Sequence, residues 1–196
     1  MIFVKICGIN SVEAAEAAVE AGADALGFVF AASPREVTPE RARELSAAVP
    51  STVARVAVLR HPARALWTRV LEVFAPDWLQ TDAEDFAEIE LPEGCAALPV
   101  YRDGRAPAAP PPRLLFEGTA SGSGRTADWD EARALAARCE LILAGGLEAA
   151  NVEDAIRRVQ PWGVDVSSGV ERRRGEKDAR KITEFIARVR AVEDKP

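Results

Sequence analysis

The sequence predicts an α/β fold built around a parallel β-sheet. Its 196 residues alternate eight short apolar segments with longer amphipathic ones, which is the order expected when a helix follows each strand. The segments that we expect to form strands are residues 2–7, 25–30, 53–59, 77–80, 96–101, 114–117, 141–144 and 163–166. Such a sheet either closes into a barrel or stays open and doubly wound. The length fits a single domain spanning residues 1–196.

Six amphipathic segments between these strands predict helices. Ser11 precedes the first segment and Thr38-Pro39 begins the second. Both are helix start signals, because a hydroxyl can cap the first turn and proline suits the first helical position. The predicted helices are residues 12–21, 39–49, 62–74, 129–138, 149–159 and 178–192.

Two crossovers are too short or too rich in proline for a full helix. The segment 81–94 has room for a short helix around residues 83–88. The segment 102–113 contains four prolines, and each proline removes a backbone donor that a helix needs. If the sheet is closed, we therefore expect a trimmed (βα)8 TIM barrel in which a proline-rich loop replaces helix 5, since such barrels usually have about 250 residues.

The composition excludes several classes of function. The net charge is −6, which argues against a nucleic-acid partner, although residues 172–174 are three arginines. We expect that run to lie in a solvated loop, with attraction of an anionic substrate as the alternative. The cysteines are scattered and His61 is the single histidine, so we expect no metal site and a cytosolic location. No signal peptide is visible, and no segment approaches the ~20 apolar residues of a membrane span.

The first strand ends in side chains suited to proton transfer. Alternation along the strand places Phe3, Lys5 and Cys7 on one face, so an ammonium lies one pleat below a thiol. A neighbouring ammonium favours the thiolate, which would make Cys7 a base at the C-terminal rim of a barrel. The alternative is that Cys7 is simply a small buried hydrophobic residue.

Two segments late in the chain are suited to binding an anion. Gly145 and Gly146 follow one strand and precede a helix, so backbone N–H groups can approach a phosphate there. Ser167, Ser168 and Gly169 follow the last strand and offer further donors. Barrels often bind phosphate with the loops after strands seven and eight, which are the positions of these segments. A tight turn with close packing is the alternative for the paired glycines.

Two further side chains follow strands at the same predicted rim. Glu117 ends the otherwise apolar segment 114–117, and we interpret it as functional, with a surface ion pair as the alternative. Arg35 follows the second strand and can form a bidentate pair with a substrate carboxylate. The glycine-rich segment 118–128 is either a linker or a mobile lid over the rim.

Taken together, these segments resemble the phosphoribosylanthranilate isomerase family over the whole chain. The segments that carry the resemblance are Val4-Lys5-Ile6-Cys7-Gly8-Ile9, residues 22–30, Ser33-Pro34-Arg35, Gly122-Ser123-Gly124 with Asp128-Trp129, Ala144-Gly145-Gly146-Leu147, Asn151-Val152, residues 164–171, and Gly175 with Lys177-Asp178. The resemblance implies a (βα)8 barrel that carries out an Amadori rearrangement in tryptophan biosynthesis. The substrate would be N-(5-phosphoribosyl)anthranilate.

The resemblance also implies a role for each matching residue. Cys7 would be the general base that takes a proton from C2 of the ribose, and Glu117 the general acid that protonates the ring oxygen. Arg35 would hold the anthranilate carboxylate. The residues that would hold the phosphate and the rest of the substrate are Lys5, Gln80, Gly145, Gly146, Asp165, Ser167, Ser168 and Gly169. No metal or organic cofactor is implied, and we expect a monomer or a homodimer without nucleic-acid or membrane partners.

The chain departs from the family pattern at three places. Glu117 stands where the family usually has aspartate, and Gln80-Thr81-Asp82-Ala83 replaces the usual Gln-Leu-His-Gly. The lysine often found on strand five is replaced near Tyr101-Arg102.

Two other functions remain as alternatives. The first is another phosphosugar barrel isomerase, such as the aminoaldose–ketose enzyme of the histidine pathway, which relies on paired aspartates at the ends of strands one and five. Cys7 at the end of strand one argues against it. The second is a non-catalytic barrel that binds phosphate and acts as a partner protein.

Overall fold

A computed structural model, which describes residues 1–118 and 127–193, closes eight parallel strands into a barrel. The strands are β1 Phe3–Cys7, β2 Ala25–Val29, β3 Ala54–Val58, β4 Trp78–Asp82, β5 Ala96–Arg102, β6 Arg113–Glu117, β7 Glu140–Leu143 and β8 Gly163–Val166. Each strand pairs with the next one along the chain, and β8 pairs with β1, with Lys5 opposite Asp165. The predicted (βα)8 barrel is therefore confirmed, and the open, doubly wound sheet is excluded.

Six helices cover the outside of the barrel, as predicted. They are α1 Val12–Glu20, α2 Pro39–Leu45, α3 Arg64–Val73, α4 Trp129–Ala136, α5 Val152–Val159 and α6 Ala179–Glu193. The Oγ of Ser11 accepts a hydrogen bond from the Ala14 N–H, and the Thr38 hydroxyl accepts one from the Arg41 N–H. Helix α2 ends four residues before the predicted position 49, because residues 47–49 instead form i→i−3 turns.

The two short crossovers differ from each other. Residues Ala83–Ala87 form a 3-10 helix after β4. Residues 103–112, between β5 and β6, contain no helix.

After β8 a 3-10 turn, Ser168–Val170, leads into a small antiparallel hairpin of β9 Glu171–Arg173 and β10 Glu176–Lys177. This hairpin carries the basic run 172–174, whose three arginines are exposed.

Strand alternation divides the apolar core into two layers. Leu114, Phe116, Leu141 and Leu143 belong to the large cluster in which strands pack against helices. The intervening residues belong to a smaller cluster inside the barrel, formed by Ala25, Val56, Leu98, Val100, Leu115, Ile142 and Ala144. Several neighbouring inward positions at the carboxyl ends of the strands are polar, among them Gln80, Glu117 and Asp165, which places the site there.

Aromatic side chains close the opposite, N-terminal end of the barrel. Phe3 stacks on Trp78 and on Trp162, with ring centroids 5.2 and 4.6 Å apart. The guanidinium of Arg113 lies 4.6 and 4.5 Å from the centroids of the two tryptophan rings. Each of these residues begins or directly precedes a strand, so this end is filled and the polar end is the one left open.

Across the two described ranges, none of the helices has the length and apolar character required to cross a bilayer.

Candidate active site

A cavity of about 330 Å³ lies at the carboxyl ends of the strands. The predicted site residues that line it are Cys7, Arg35, Gln80, Glu117, Gly145, Gly146, Asp165, Ser167 and Ser168. Lys5 lies below the cavity and is fully buried, and Gly169 packs behind it. The structure therefore brings together predicted residues from the carboxyl ends of six strands and the loops that follow them. Residues 119–126, which include most of the predicted lid, lie outside the described residues.

Lys5 is buried against Cys7 and Asp165, two residues that line the cavity. Lys5 Nζ lies 2.6 Å from Asp165 Oδ1, across the β1–β8 pairing in which the two residues are opposite each other. Burial lowers the pKa of Lys5, but the carboxylate of Asp165 and the thiol of Cys7 outweigh burial, and the pKa is raised overall. Lys5 is therefore a fixed cation next to the thiol.

Lys5 lowers the pKa of Cys7, as expected, but the expected net result needs a correction. Burial of the thiol is the largest effect and raises the pKa of Cys7, while Lys5 and Lys177 lower it and Asp165 raises it. The net pKa is above the usual thiol value. The two ammonium groups thus limit the cost of forming a buried thiolate without removing it, and a thiolate formed here is more basic than an ordinary one.

Arg35 is held by a carboxylate of the protein itself. Its Nε lies 2.6 Å from Glu171 Oε1 and its Nη2 lies 3.0 Å from Glu171 Oε2, and both residues are buried. A guanidinium has five N–H donors, and these two bonds use two of them. Three donors remain on a side chain that lines the cavity, so the pair with Glu171 orients Arg35 and leaves it able to bind another carboxylate.

Lys177 joins this pair to the second anion-binding segment. Its Nζ lies 3.0 Å from Glu171 Oε1 and donates to the carbonyl and the hydroxyl of Ser167 at 2.9 and 3.2 Å. Burial lowers the pKa of Lys177, with Glu171 opposing this effect. For Glu171 burial raises the pKa, but Arg35 and Lys177 outweigh it and the pKa is lowered. Glu171 is therefore an anion shared by two buried cations.

The two predicted phosphate-binding segments are in contact. Gly145 and Gly146 have φ angles of 88° and 63°, and Asn151 Nδ2 donates to the Gly146 carbonyl at 2.8 Å. A Cβ on Gly169 would lie 2.0 Å from the Leu147 carbonyl oxygen, so only glycine permits this close approach of the two loops. The backbone of both loops faces the same end of the cavity.

Glu117 forms an ion pair within the rim. Its Oε1 lies 3.0 Å from Arg102 Nη2, and Arg102 Nη1 lies 2.5 Å from Asp82 Oδ1. All three side chains line the cavity and are at most 20% exposed. The predicted acid thus lies at the rim as expected, paired with a cation that the sequence did not identify.

Gln80 has a buried acceptor without a protein partner. Its Oε1 makes no hydrogen bond within residues 1–118 and 127–193, although the side chain lines the cavity. Leaving a buried acceptor unpaired costs about 1–3 kcal/mol, so a donor on a bound molecule would recover this free energy.

One group of potential metal ligands lies at the edge of the rim. His61, Asp82 and Glu84 place ligand atoms within 4.8 Å of one another. Both oxygens of Asp82 are already used, one by Arg102 and the other by His61 Nε2 at 2.9 Å. This group is therefore part of an ion-pair network.

Four roles were missed by reasoning from the sequence. Arg102 and Asp82 were noted only as departures from a family pattern, and Glu171 and Lys177 only as parts of motifs. A weak signal was present for Asp82 and Arg102, because each ends a strand. Glu171 and Lys177 lie in the highly charged segment 171–178, where nothing in the sequence distinguishes them from their neighbours. Which of these charges meet depends on closure of the barrel, and local sequence does not show it.

The fold and this cavity define a barrel enzyme whose rim combines proton-transfer groups with donors for anions. Residues 4–188 match the model of the N-(5'-phosphoribosyl)anthranilate (PRA) isomerase family. The chain is 41% identical to N-(5'-phosphoribosyl)anthranilate isomerase of Listeria monocytogenes, with 98% of this chain and 100% of that protein covered. It is 43% identical to the enzyme of the same name from Pelobacter propionicus, over 95% of this chain and 94% of the relative.

Solved structures agree with these matches. The phosphoribosyl anthranilate isomerase of Thermus thermophilus superposes with a TM-score of 0.84 at 32% identity, covering 97% of this chain and all of that one. A structure of phosphoribosyl anthranilate isomerase in complex with reduced 1-(o-carboxyphenylamino)-1-deoxyribulose 5-phosphate has a TM-score of 0.78 at 32% identity, with 97% and 100% coverage. The chain belongs to the phosphoribosylanthranilate isomerase family. It is an isomerase of tryptophan biosynthesis that catalyses the Amadori rearrangement of N-(5-phosphoribosyl)anthranilate.

Proposed function

We propose that Cys7 and Glu117 are the general base and general acid of this rearrangement. The observation that carries the proposal is that both line one cavity together with Arg35 and the two glycine- and serine-containing loops. Proton transfer needs a base and an acid in reach of one molecule, and an anionic substrate needs donors placed on either side of them.

The proposed chemistry is a series of proton transfers and uses no cofactor. The carboxyl of Glu117 gives its proton to the ring oxygen as the C1–O bond breaks, and the amine lone pair forms the C1=N bond of a Schiff base. The Cys7 thiolate then removes the proton from C2, and the electron pair of that C–H bond moves toward nitrogen to give an enaminol. Proton transfer from the C2 hydroxyl and to C1 yields the ketose. The amine nitrogen is the electron sink.

The other cavity residues are proposed to bind the two ends of the substrate. The donors of Arg35 that Glu171 leaves unused hold the anthranilate carboxylate, in the bidentate geometry that a guanidinium favours. The phosphate lies between Gly145-Gly146 and the 3-10 turn that begins after Ser167, where backbone N–H groups act as donors. Gln80 accepts a hydrogen bond from a substrate N–H or hydroxyl. The ammonium of Lys5, held in place by Asp165, provides a positive charge next to Cys7.

We further propose that the chain is one domain working in the cytosol as a monomer or a homodimer. All three cysteines are free, which fits a reducing compartment. One similar solved structure is described as monomers generated from the dimeric Thermotoga maritima enzyme. Sedimentation equilibrium distinguishes the two oligomeric states.

The assignment of Glu117 is tested by comparing Glu117→Gln with Glu117→Asp. The glutamine keeps the shape and removes the transferable proton, so we expect kcat to fall by ~10²–10⁴, the usual size of general-acid catalysis. KM should change little, because the proton transfer belongs to the transition state. The aspartate keeps the acid at a shorter reach and should remain measurably active. The assay is the loss of phosphoribosylanthranilate fluorescence.

Equal turnover of the two Glu117 variants would show that the proton comes from another group. Asp128, the capping residue of α4, is the next carboxyl to test.

A further inference from the structure

The carboxyl of Glu117 lies at one end of a line of ion pairs that crosses three strands. Arg102 of β5 is directly opposite Glu117 of β6 in the strand register, and its Nη2 lies 3.0 Å from Glu117 Oε1. The other branch of the same guanidinium, Nη1, lies 2.5 Å from Oδ1 of Asp82 on β4. The guanidinium therefore bridges two carboxylates that come from the strands on either side of its own.

The far end of this line is fixed by a second set of contacts. The Asp82 side chain is only 3% exposed, and its Oδ2 lies 2.9 Å from His61 Nε2. The other ring nitrogen of His61 lies 3.0 Å from Asp85 Oδ1, and the hydrogen bond to Asp85 raises the pKa of His61. Removing one partner of a buried ion pair leaves an uncompensated charge, which is costly. Asp82 is therefore a firm anchor for Arg102.

From this geometry we infer that Arg102 is a positioning residue that holds the Glu117 carboxyl at the cavity. Asp82 holds Arg102 in place, and its carboxylate offsets part of the positive charge of the guanidinium. The inference rests on the proposed function of Glu117 as the general acid. A general acid must carry its proton, whereas a neighbouring cation favours the ionised carboxylate. Sharing the guanidinium between two carboxylates fixes the position of Glu117 while weakening this electrostatic effect.

The surroundings of Glu117 are consistent with this division of roles. Toward β5, the backbone N–H of Asp103 donates to the Glu117 carbonyl at 3.2 Å, which fixes the backbone of Glu117. Toward β7, the neighbour is apolar: the N–H of Ala144 bonds the Phe116 carbonyl. The titratable and charged groups elsewhere on the cavity wall are Cys7, Arg35, Arg60, Asp165 and Arg174.

The test compares Arg102→Gln and Asp82→Asn with Arg105→Gln, a control that removes an exposed arginine three residues along the same segment. Two quantities are measured: kcat and KM by substrate fluorescence, and the pKa of Glu117 by carbon-13 NMR of side-chain carboxyls. The Glu117 resonance is assigned by its loss in Glu117→Gln. Thermal denaturation of each variant establishes that it is folded.

We expect opposite shifts of the pKa of Glu117 in the two variants. Arg102→Gln removes the cation and raises the pKa of Glu117. Asp82→Asn removes a negative charge that competes with Glu117 for the guanidinium, and so lowers that pKa. Arg102→Gln should lower kcat by about 10², the effect of a ~1 Å displacement of a reacting group, with KM within about threefold of wild type. Arg102→Lys restores the charge without the two-branched guanidinium, so its kcat and its pKa of Glu117 should lie between those of wild type and Arg102→Gln. Arg105→Gln should match wild type in both quantities.

Three results would overturn the inference: unchanged kcat in both variants, an unchanged pKa of Glu117 in both, or pKa shifts in the same direction. A failure of the proposed function would give a different experimental result. If Glu117→Gln turns over as fast as wild type, Glu117 is not the acid, whereas opposite pKa shifts in the other two variants would still establish that Arg102 and Asp82 set its charge.

Discussion

Three charged side chains assigned to the site are paired by the protein before any substrate arrives. Lys5 is paired with Asp165, Arg35 with Glu171, and Glu117 with Arg102. Buried charges are stable only when compensated, so these pairs are a condition for placing reactive groups in a half-closed cavity. They also fix the direction in which the remaining donors point.

The pairing of Arg35 leads to a prediction about ligand selectivity. Arg35→Ala should weaken binding of the reduced product analogue far more than binding of inorganic phosphate, because the anthranilate carboxylate loses its guanidinium while the phosphate loops are unchanged. Arg35→Lys should rescue the affinity only partly, since an ammonium cannot bind Glu171 and a substrate carboxylate in the same bidentate manner. Isothermal titration calorimetry with the two ligands measures the difference.

Glu171 keeps Lys177 and the Gly175 N–H as partners when Arg35 is removed, so the variant should fold. Equal weakening of both ligands would mean that Arg35 supports the cavity as a whole and does not recognise the carboxylate.

At the scale of elements, sequence reasoning succeeded where the signal is local. Strands buried on both faces are near-continuous apolar runs, and this is why all eight barrel strands and all six helices were predicted in order. The short strands β9 and β10, which lie in the charged segment 171–177, were not predicted. The side chains that end these strands were therefore also predicted to meet at one rim. The ion pairs were not predictable, because Arg35 and Glu171 are 136 residues apart and meet only through barrel closure and register.

The direction of the net pKa shift of Cys7 also could not be predicted from the sequence. The spacing of Lys5 and Cys7 predicted the ammonium next to the thiol correctly, but the extent of burial decides the sign of the shift and raises the pKa of Cys7. Burial depends on the helices and loops around β1, so it is a property of the complete fold.

The loop between β7 and α5 provides a prediction at this scale. Gly146 has a φ of 63°, a conformation that a β-branched residue tolerates poorly, and its N–H is proposed to approach the phosphate. Gly146→Val should raise KM steeply in steady-state kinetics. The matched control is Gly94→Val, at a φ of 87° with no atom within 4 Å of the added Cβ, where a similar strain occurs away from the cavity.

If both glycine variants raise KM equally, the effect is backbone strain, and the phosphate does not lie against Gly146.

At the scale of the whole molecule, the charges around the cavity differ from what the net charge suggests. The chain carries −6 overall, yet Arg35, Arg60, Arg102 and Arg174 all line the cavity. Asp82, Glu117 and Asp165 line the cavity as well, so among the described residues four guanidinium groups stand against three carboxyls. This small excess of positive charge favours a substrate with two anionic groups, while the net negative charge repels nonspecific polyanions. The aromatic stack of Phe3, Trp78, Arg113 and Trp162 closes the other end of the barrel, so the rim is the entrance to the cavity.

The most direct test of this account is the kcat of Cys7→Ser in the phosphoribosylanthranilate fluorescence assay, with circular dichroism establishing that the variant is folded. A serine hydroxyl has nearly the volume of the thiol but does not ionise near neutral pH, so the base is lost and the packing is kept. We predict a fall in kcat of at least ~10²–10⁴ with an unchanged fold. A Cys7→Ser variant that keeps a tenth or more of wild-type turnover would contradict the assignment of Cys7 as the base.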